Sequence, residues 1–360
     1  MRSCCTLIAV FSVLASPLAA QEAAPLPQPE FRGQIVVPSA LSLNGVTFGG
    51  ISDLSYDAGE DRYFAISDDR VEHGPARFYE LRLTAGEAAV ELDILATHEL
   101  TQADGSAFGV KGADPEGIAF DGERIFWSSE RDADGKPGIF VAGLDGSGRG
   151  EIALPAYYLP DEARVTGIYN NQGFEGLTLS ADGSKLIAGI ENGLMQDGSK
   201  ATLQAGSPSR LLVIDTRTLE AVSEYLYPTE AIYTAATAEP AWNDNGLSAL
   251  AALPDGRLVA VERSFANGVG NLIRFYVVDL GGAQDILGLD KIDPAEINPV
   301  KKTFWFQIDE GDFGLNIDNI ESIAFGPEID GDRSFVIASD DNFNPATQFT
   351  QFAVFTIPAK

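Results

Sequence analysis

The chain has 360 residues and carries 53 acidic against 24 basic side chains, a formal charge of -29. Such a field repels nucleic acid and anionic lipid and favours cations. Only two histidines and two cysteines are present, and both cysteines, Cys4 and Cys5, fall in the first 20 residues, which leaves little material for zinc, thiol or disulfide chemistry.

Residues 1–20, MRSCCTLIAVFSVLASPLAA, read as a signal peptide: Arg2, an apolar run from Leu7 to Leu14, then small residues up to a cleavage point after Ala20. The run is too short for a bilayer and no later stretch is long enough, so no membrane span is expected. The mature protein is expected to be exported, to the periplasm or the extracellular space. Residues 21–30, rich in Pro and Ala, read as a flexible leader, and residues 31–360 as one domain.

FRGQIVV at 31–37 is strand-like but has no neighbouring partner in sequence. Five similar hairpins follow, at 50–70, 113–131, 173–193, 244–263 and 318–342. Each has an acidic or small polar residue, an apolar strand, a turn built on Gly with Asp or Glu, and a second apolar strand ending in acid. After each come further strand-like runs, such as ARFYELRL and AVELDILA or RLLVIDTR and AVSEYLY. Four strands per repeat with little helix signal is the pattern of an all-β propeller. The fifth repeat supplies only three strands, ending in QFAVFTI, and FRGQIVV would complete it. That closes a ring of five blades of four antiparallel strands and removes its open edge. A ring of six would need a hairpin that is not visible.

Turns inside the hairpins are short, whereas the connections at the opposite face are long, and long loops on a rigid scaffold are where function usually sits. Residues 281–300 are expected to project from the short-turn face.

If the hairpins are the inner strands, their acids converge on one mouth of the central channel. The set is Asp53, Glu116, Glu175 and Glu321 from first strands and Asp68, Glu130, Glu191, Glu262 and Asp340 from second strands; Ser248 stands in the fourth blade where the others have acid. Like charges so placed must be protonated, paired or bridged by cations. Arg70, Arg131 and Arg263 follow the second-strand acids closely, and Asn192 and Asn342 follow them in the blades lacking that arginine. Oxygen-only ligands on loops suit Ca²⁺, and these nine acids are the candidate metal ligands. The arginines and asparagines are candidate substrate-binding groups. Zinc is not expected with only two histidines and no thiolate in the mature chain, nor a nucleotide cofactor without a P-loop, nor a serine triad without a GxSxG elbow. His98 falls on an outer strand; His73, in VEHGPAR, is on a long-face loop and is the candidate general base.

The segments GGISDLSYD, DPEGIAF, NQGFEGLTLSADG, LVAVER and ASDDNFNPATQFTQFAVFTI resemble the phytase-like family, described by esterase-like activity of phytase, over nearly the whole mature chain. The resemblance implies a propeller that hydrolyses phosphate or carboxylate esters, with or without Ca²⁺. Propeller phytases bring many basic residues to a polyanion; here the mouth offers the three arginines plus Arg164, Lys111, Lys136 and Lys200, which weighs against phytate itself. The expected function is an exported calcium-dependent esterase or phosphoesterase acting on a small-molecule ester. The alternatives are a lactonase-type propeller, to which the EG-x-x-F strand start is similar and which predicts an aromatic pocket wall, and a non-catalytic binding propeller.

Overall fold

Runs such as RYFAIS and KLIAGI are apolar at nearly every position, which a strand tolerates only when both its faces are covered. The computed structural model, which describes residues 24–39, 41–86 and 89–359, supplies that cover by stacking blade on blade. The signal peptide proposed at residues 1–20 lies outside the described residues.

The chain enters through β1 (Glu30–Val36) and a short hairpin, β2 (Ser42–Leu43) with β3 (Val46–Thr47). Blade 1 is β4 (Ile51–Asp57), β5 (Arg62–Ser67), β6 (Arg77–Ala85) and β7 (Val90–Glu99). Blade 2 is β8 (Pro115–Phe120), β9 (Ile125–Ser129), β10 (Gly138–Ala142) and β11 (Gly148–Ile152). Blade 3 is β12 (Phe174–Leu179), β13 (Lys185–Ile190), β14 (Pro208–Asp215) and β15 (Ala221–Pro228). Blade 4 is β16 (Asn243–Ala252), β17 (Leu258–Ala266), β18 (Gly270–Asp279) and β19 (Lys301–Asp309). Blade 5 is β20 (Asn319–Ile329), β21 (Asp332–Asp340) and β22 (Gln351–Ile357), with β1 as its outer strand. β1 pairs antiparallel with β22 from Glu30↔Thr356 to Val36↔Gln351, so the amino-terminal strand closes the five-bladed ring as the repeat pattern predicted.

The apolar core divides into one layer per blade interface. Blades 4 and 5 share Phe275, Phe306, Phe335 and Phe355; blades 5 and 1 share Phe352, Tyr63 and Tyr79. Blades 1 and 2 meet through Phe64, Phe78 and Trp127, blades 2 and 3 through Phe126, Phe174 and Leu212, and blades 3 and 4 through Tyr227, Leu247 and Tyr276. Rings at the first interface stack closely, Phe275 on Phe306 at 4.1 Å and Phe335 on Phe355 at 5.2 Å. Losing such a buried ring costs on the order of 3–5 kcal/mol. No α-helix occurs among the described residues, and no helix is long and apolar enough to cross a membrane.

Two segments differ from expectation. Residues 24–29, from the proposed leader, lie against blade 4, where Trp305 Nε1 donates to the Pro27 carbonyl at 2.7 Å. Residues 281–300 do not project from the short-turn face. They run along β15, the exposed edge of blade 3, with Ile286 N donating to Glu224 O at 2.9 Å and Val300 N to Leu226 O at 3.1 Å. Ile286 and Ile292 bury against Leu226, so the segment covers an edge strand that would otherwise present free backbone groups.

Candidate active site at the mouth of the channel

Every first strand carries a β-bulge at its mouth end: between Ile51 and Asp53, Pro115 and Ile118, Phe174 and Leu177, Leu247 and Ala249, and Ile320 and Ser322. A bulge breaks the simple alternation of side chains and re-aims one of them. The first residues inside the five bulges are Ser52, Glu116, Glu175, Ser248 and Glu321. In blades 2 and 3 the next residue is glycine because the neighbouring blade sits too close for a side chain. A Cβ on Gly117 would stand 2.4 Å from the Leu177 Cβ, and one on Gly176 would stand 2.9 Å from Leu250 Cγ. The EG pair therefore sends its glutamate to the channel and its glycine to the blade interface.

The second strands contribute the residue that follows the ladder partner of the apolar residue before each bulge. Ile51, Pro115, Phe174, Leu247 and Ile320 oppose Ser67, Ser129, Ile190, Glu262 and Ser339, so the following residues, Asp68, Glu130, Glu191, Arg263 and Asp340, are equivalent. Blade 4 is the exception, with arginine where the others have acid.

This register corrects two expected members of the ring. Asp53 is one residue past its bulge and points into the interface with blade 2, accepting from Leu54 N at 2.8 Å and Ile118 N at 3.0 Å. Glu262 lies one residue short; it is fully buried and accepts from Tyr227 Oη, Lys302 Nζ and Glu230 N at 2.7–2.8 Å. Both act as staples between neighbouring elements. Asn192 is also withdrawn from the mouth: its Oδ1 accepts from Ala201 N at 2.9 Å and holds its loop.

The other expected residues gather around a cavity of about 960 Å³, lined among others by Asp68, Arg70, His73, Glu116, Arg131, Glu175, Glu191, Arg263, Glu321, Asp340 and Asn342. Carboxylate oxygens of Glu116, Glu175 and Glu321 lie within 4.8 Å of one another, as do those of Glu130, Glu175 and Glu191 and those of Asp114, Glu116 and Glu130. The three triads overlap into one continuous acidic surface.

Asp114 was not anticipated, although it stands two residues before Glu116 in ADPEGIAF. Its Oδ2 accepts from Arg131 Nε at 2.8 Å and forms an ion pair with Arg70, whose Nε lies 3.1 Å away without a hydrogen bond. Arg263 reaches Glu321 at 3.4 Å and Glu191 at 3.8 Å. Asn319, also unanticipated, donates to Glu321 at 2.9 Å and Asp340 at 3.2 Å, and Asn342 N donates to Asp340 Oδ1 at 2.8 Å. His73 stacks on Phe343 with ring centroids 4.5 Å apart. His98 is held by Glu80 on the outer strands, away from the mouth.

Three guanidiniums do not neutralise eight carboxylates (Asp68, Asp114, Glu116, Glu130, Glu175, Glu191, Glu321 and Asp340). Burial, reinforced by neighbouring acids, pushes Glu116, Glu175, Glu191, Asp68 and Asp340 well above the usual carboxylate range. Burial and Asp114 raise Glu130 to about 7, while burial raises Asp114 to about 6 against the pull of Arg131 and Arg70. Asp68 Oδ1 is shielded from solvent with no hydrogen-bond partner.

A family model described as phytase-like, esterase-like activity of phytase, matches residues 46–343. The chain belongs to the phytase-like family. The matched span runs from β3 to the loop after β21 and includes every mouth residue named above, leaving β22 and β1 outside it. An uncharacterized secreted protein of Arthroderma benhamiae is 33% identical over 26% of this chain, a match covering 24% of that protein's length. Similar solved structures include U3-55K and the RRP9 WD40 repeats, each 10% identical, with TM-scores of 0.38 and covering 92% of this chain and 100% of theirs.

Of the other basic groups expected at this face, Lys200 lines the cavity. Lys111 pairs with Glu72 at 3.4 Å, Lys136 with Asp134 at 3.6 Å, and Arg164 donates to the Asp134 carbonyl at 2.7 Å. The mouth is thus strongly acidic, its lining lysines and arginines among the described residues being Arg70, Arg131, Lys200 and Arg263.

Proposed function

We propose that this chain is an exported, calcium-dependent hydrolase of small esters or phosphomonoesters, working at the acidic mouth. The observation that carries the reading is the set of three overlapping carboxylate triads beside guanidiniums. Family membership supports ester hydrolysis, and the amino-terminal segment and the secreted relative support export.

The donor set fits Ca²⁺. It is all oxygen, carboxylates are in excess over cations, and the shielded Asp68 Oδ1 lacks a partner. Glu116, Glu130, Glu175, Glu191, Glu321 and Asp114 would hold the ion, with Asp68 and Asp340 on the adjoining wall. A bound calcium ion would supply Lewis acidity toward an ester oxygen and acidify water. The rest falls to the chain. Arg131 donates Nε to Asp114 and Arg70 pairs with the same carboxylate, which holds both guanidiniums at the cavity wall, where their terminal amino groups can meet an anionic oxygen. Arg263, set between Glu191 and Glu321, limits acid–acid repulsion on the opposite side. Asn342 lines the cavity as a neutral polar contact for substrate, and His73, stacked at the rim, is the proton acceptor facing solvent.

A lactonase-type reading keeps one specific support, because the cavity has an aromatic wall of Trp242, Phe265 and Phe343. Turnover of p-nitrophenyl phosphate, p-nitrophenyl acetate and a γ-lactone, each with calcium or EGTA, separates the readings. Calcium-dependent hydrolysis of either p-nitrophenyl ester is expected. Lactone-only turnover would favour the second reading, and no turnover of any substrate by calcium-loaded protein would leave a binding propeller.

A further inference from the structure

The two sides of the mouth differ in chemistry. Blades 1 and 2 bring the guanidiniums of Arg70 and Arg131. Blade 4 presents Trp242 and Phe265, and Phe265 also lines a side groove of about 150 Å³ that opens from the main cavity. The groove runs between the loop before β16 and the turn joining β17 to β18, with Tyr233 and Val269 on its walls. Trp242 and Tyr233 are 57% and 56% exposed, high for large aromatic side chains with no charged function of their own. Tyr233 is nevertheless held in place: Arg274 lies over its ring at 5.2 Å, and its backbone N–H donates to Ser264 Oγ at 3.2 Å. Asp309 and Glu310 also line the groove, Glu310 where it meets the main cavity.

We infer that this groove is the subsite for the non-reacting part of the substrate, and that the substrate class is a monoester joining one anionic or ester head to one flat apolar group. The inference rests on the mouth being the ester site proposed above. The head is drawn to Arg70 and Arg131, which share Asp114, whereas Arg263 is held between two carboxylates, Glu191 and Glu321. The remainder of the molecule then faces the aromatic wall, and the groove has room for one ring-sized group. A second phosphate placed there would meet Asp309 and Glu310 rather than a cation, so polyphosphorylated substrates are disfavoured. Burial of one ring against these aromatics is worth about tenfold in affinity or more.

The test is calorimetric binding of phenylphosphonate and methylphosphonate, two non-hydrolysable heads, to the calcium-loaded full-length protein. Phenylphosphonate is expected to bind at least about tenfold more tightly. It should also change the fluorescence of Trp242, since Trp127 and Trp305 are sealed in blade interfaces. Trp242→Ala and Phe265→Ala should each erode the preference while leaving methylphosphonate affinity unchanged. Equal affinities for the two phosphonates would overturn the groove assignment and leave the mouth as an ester site intact. No binding of either would overturn both. Tighter binding of inositol hexakisphosphate than of phenylphosphonate would overturn the exclusion of polyanions.

Discussion

Two regions of this propeller bury acid, and they do so in opposite ways. At the outer edge of blade 3, Arg210 binds Asp197 at 2.7 Å and Glu224 at 2.8 Å, all three side chains fully buried. Tyr157 and Tyr158 hydroxyls complete Glu224, Ile292 N donates to Asp197, and Leu289 O takes a further Arg210 proton. Both carboxylates there have partners, and the cluster ties residues 281–300 to blade 3. At the mouth, eight carboxylates share three guanidiniums, and one shielded oxygen has no partner. A cluster whose carboxylates are all partnered stabilises a fold; one with carboxylates in excess would release free energy on binding a cation.

The largest expected effect separates the two directly. Arg210→Ala would strand two buried carboxylates and should cost roughly 3–5 kcal/mol in urea unfolding, with calcium affinity unchanged. A comparable loss of calcium affinity would mean that the two clusters are not independent.

The second effect is a pH dependence with an uncommon sign. The mouth carboxylates have folded-state values above their unfolded ones, Glu130 at about 7 and Asp114 at about 6. Unfolded carboxylates titrate near ~4. Between these limits the folded chain binds more protons than the unfolded one, so stability falls as pH rises through about 4 to 7. Calcium-free protein should lose on the order of 2–3 kcal/mol from pH 5 to pH 8, and calcium should remove most of that slope. A flat profile without calcium would show that the acids are already neutralised.

The five blades and the closing strand were legible because repetition and apolar runs report burial on both faces. The mouth was legible only to within one residue. Asp53 and Glu262 looked like ring members because acid recurs near those places. The bulge, however, sets which residue faces the channel, and it is marked by the apolar residue before it: Ile51, Pro115, Phe174, Leu247 or Ile320. Aligning on that residue puts Ser52 and Ser248 beside Glu116, and Arg263 beside Glu130. Asp114 was hidden because its role as a shared partner for Arg70 and Arg131 depends on two blades meeting. The path of residues 281–300 along β15 was hidden for the same reason, since Asp197 and Arg210, which hold it, lie about 80 or more residues away in sequence.

The central claim is that the mouth acids form a cation site rather than a set of staples. Calorimetric titration of calcium into the parent protein and Glu175→Gln tests it most directly, because Glu175 belongs to two of the three triads. The account predicts saturable calcium binding by the parent and at least a tenfold weaker affinity in the variant, roughly the loss of one charged ligand. Calcium-free stability of Glu175→Gln should be unchanged or slightly higher, since a repelled carboxylate is removed. Unchanged calcium affinity together with a large loss of stability would contradict the account and make Glu175 a structural residue.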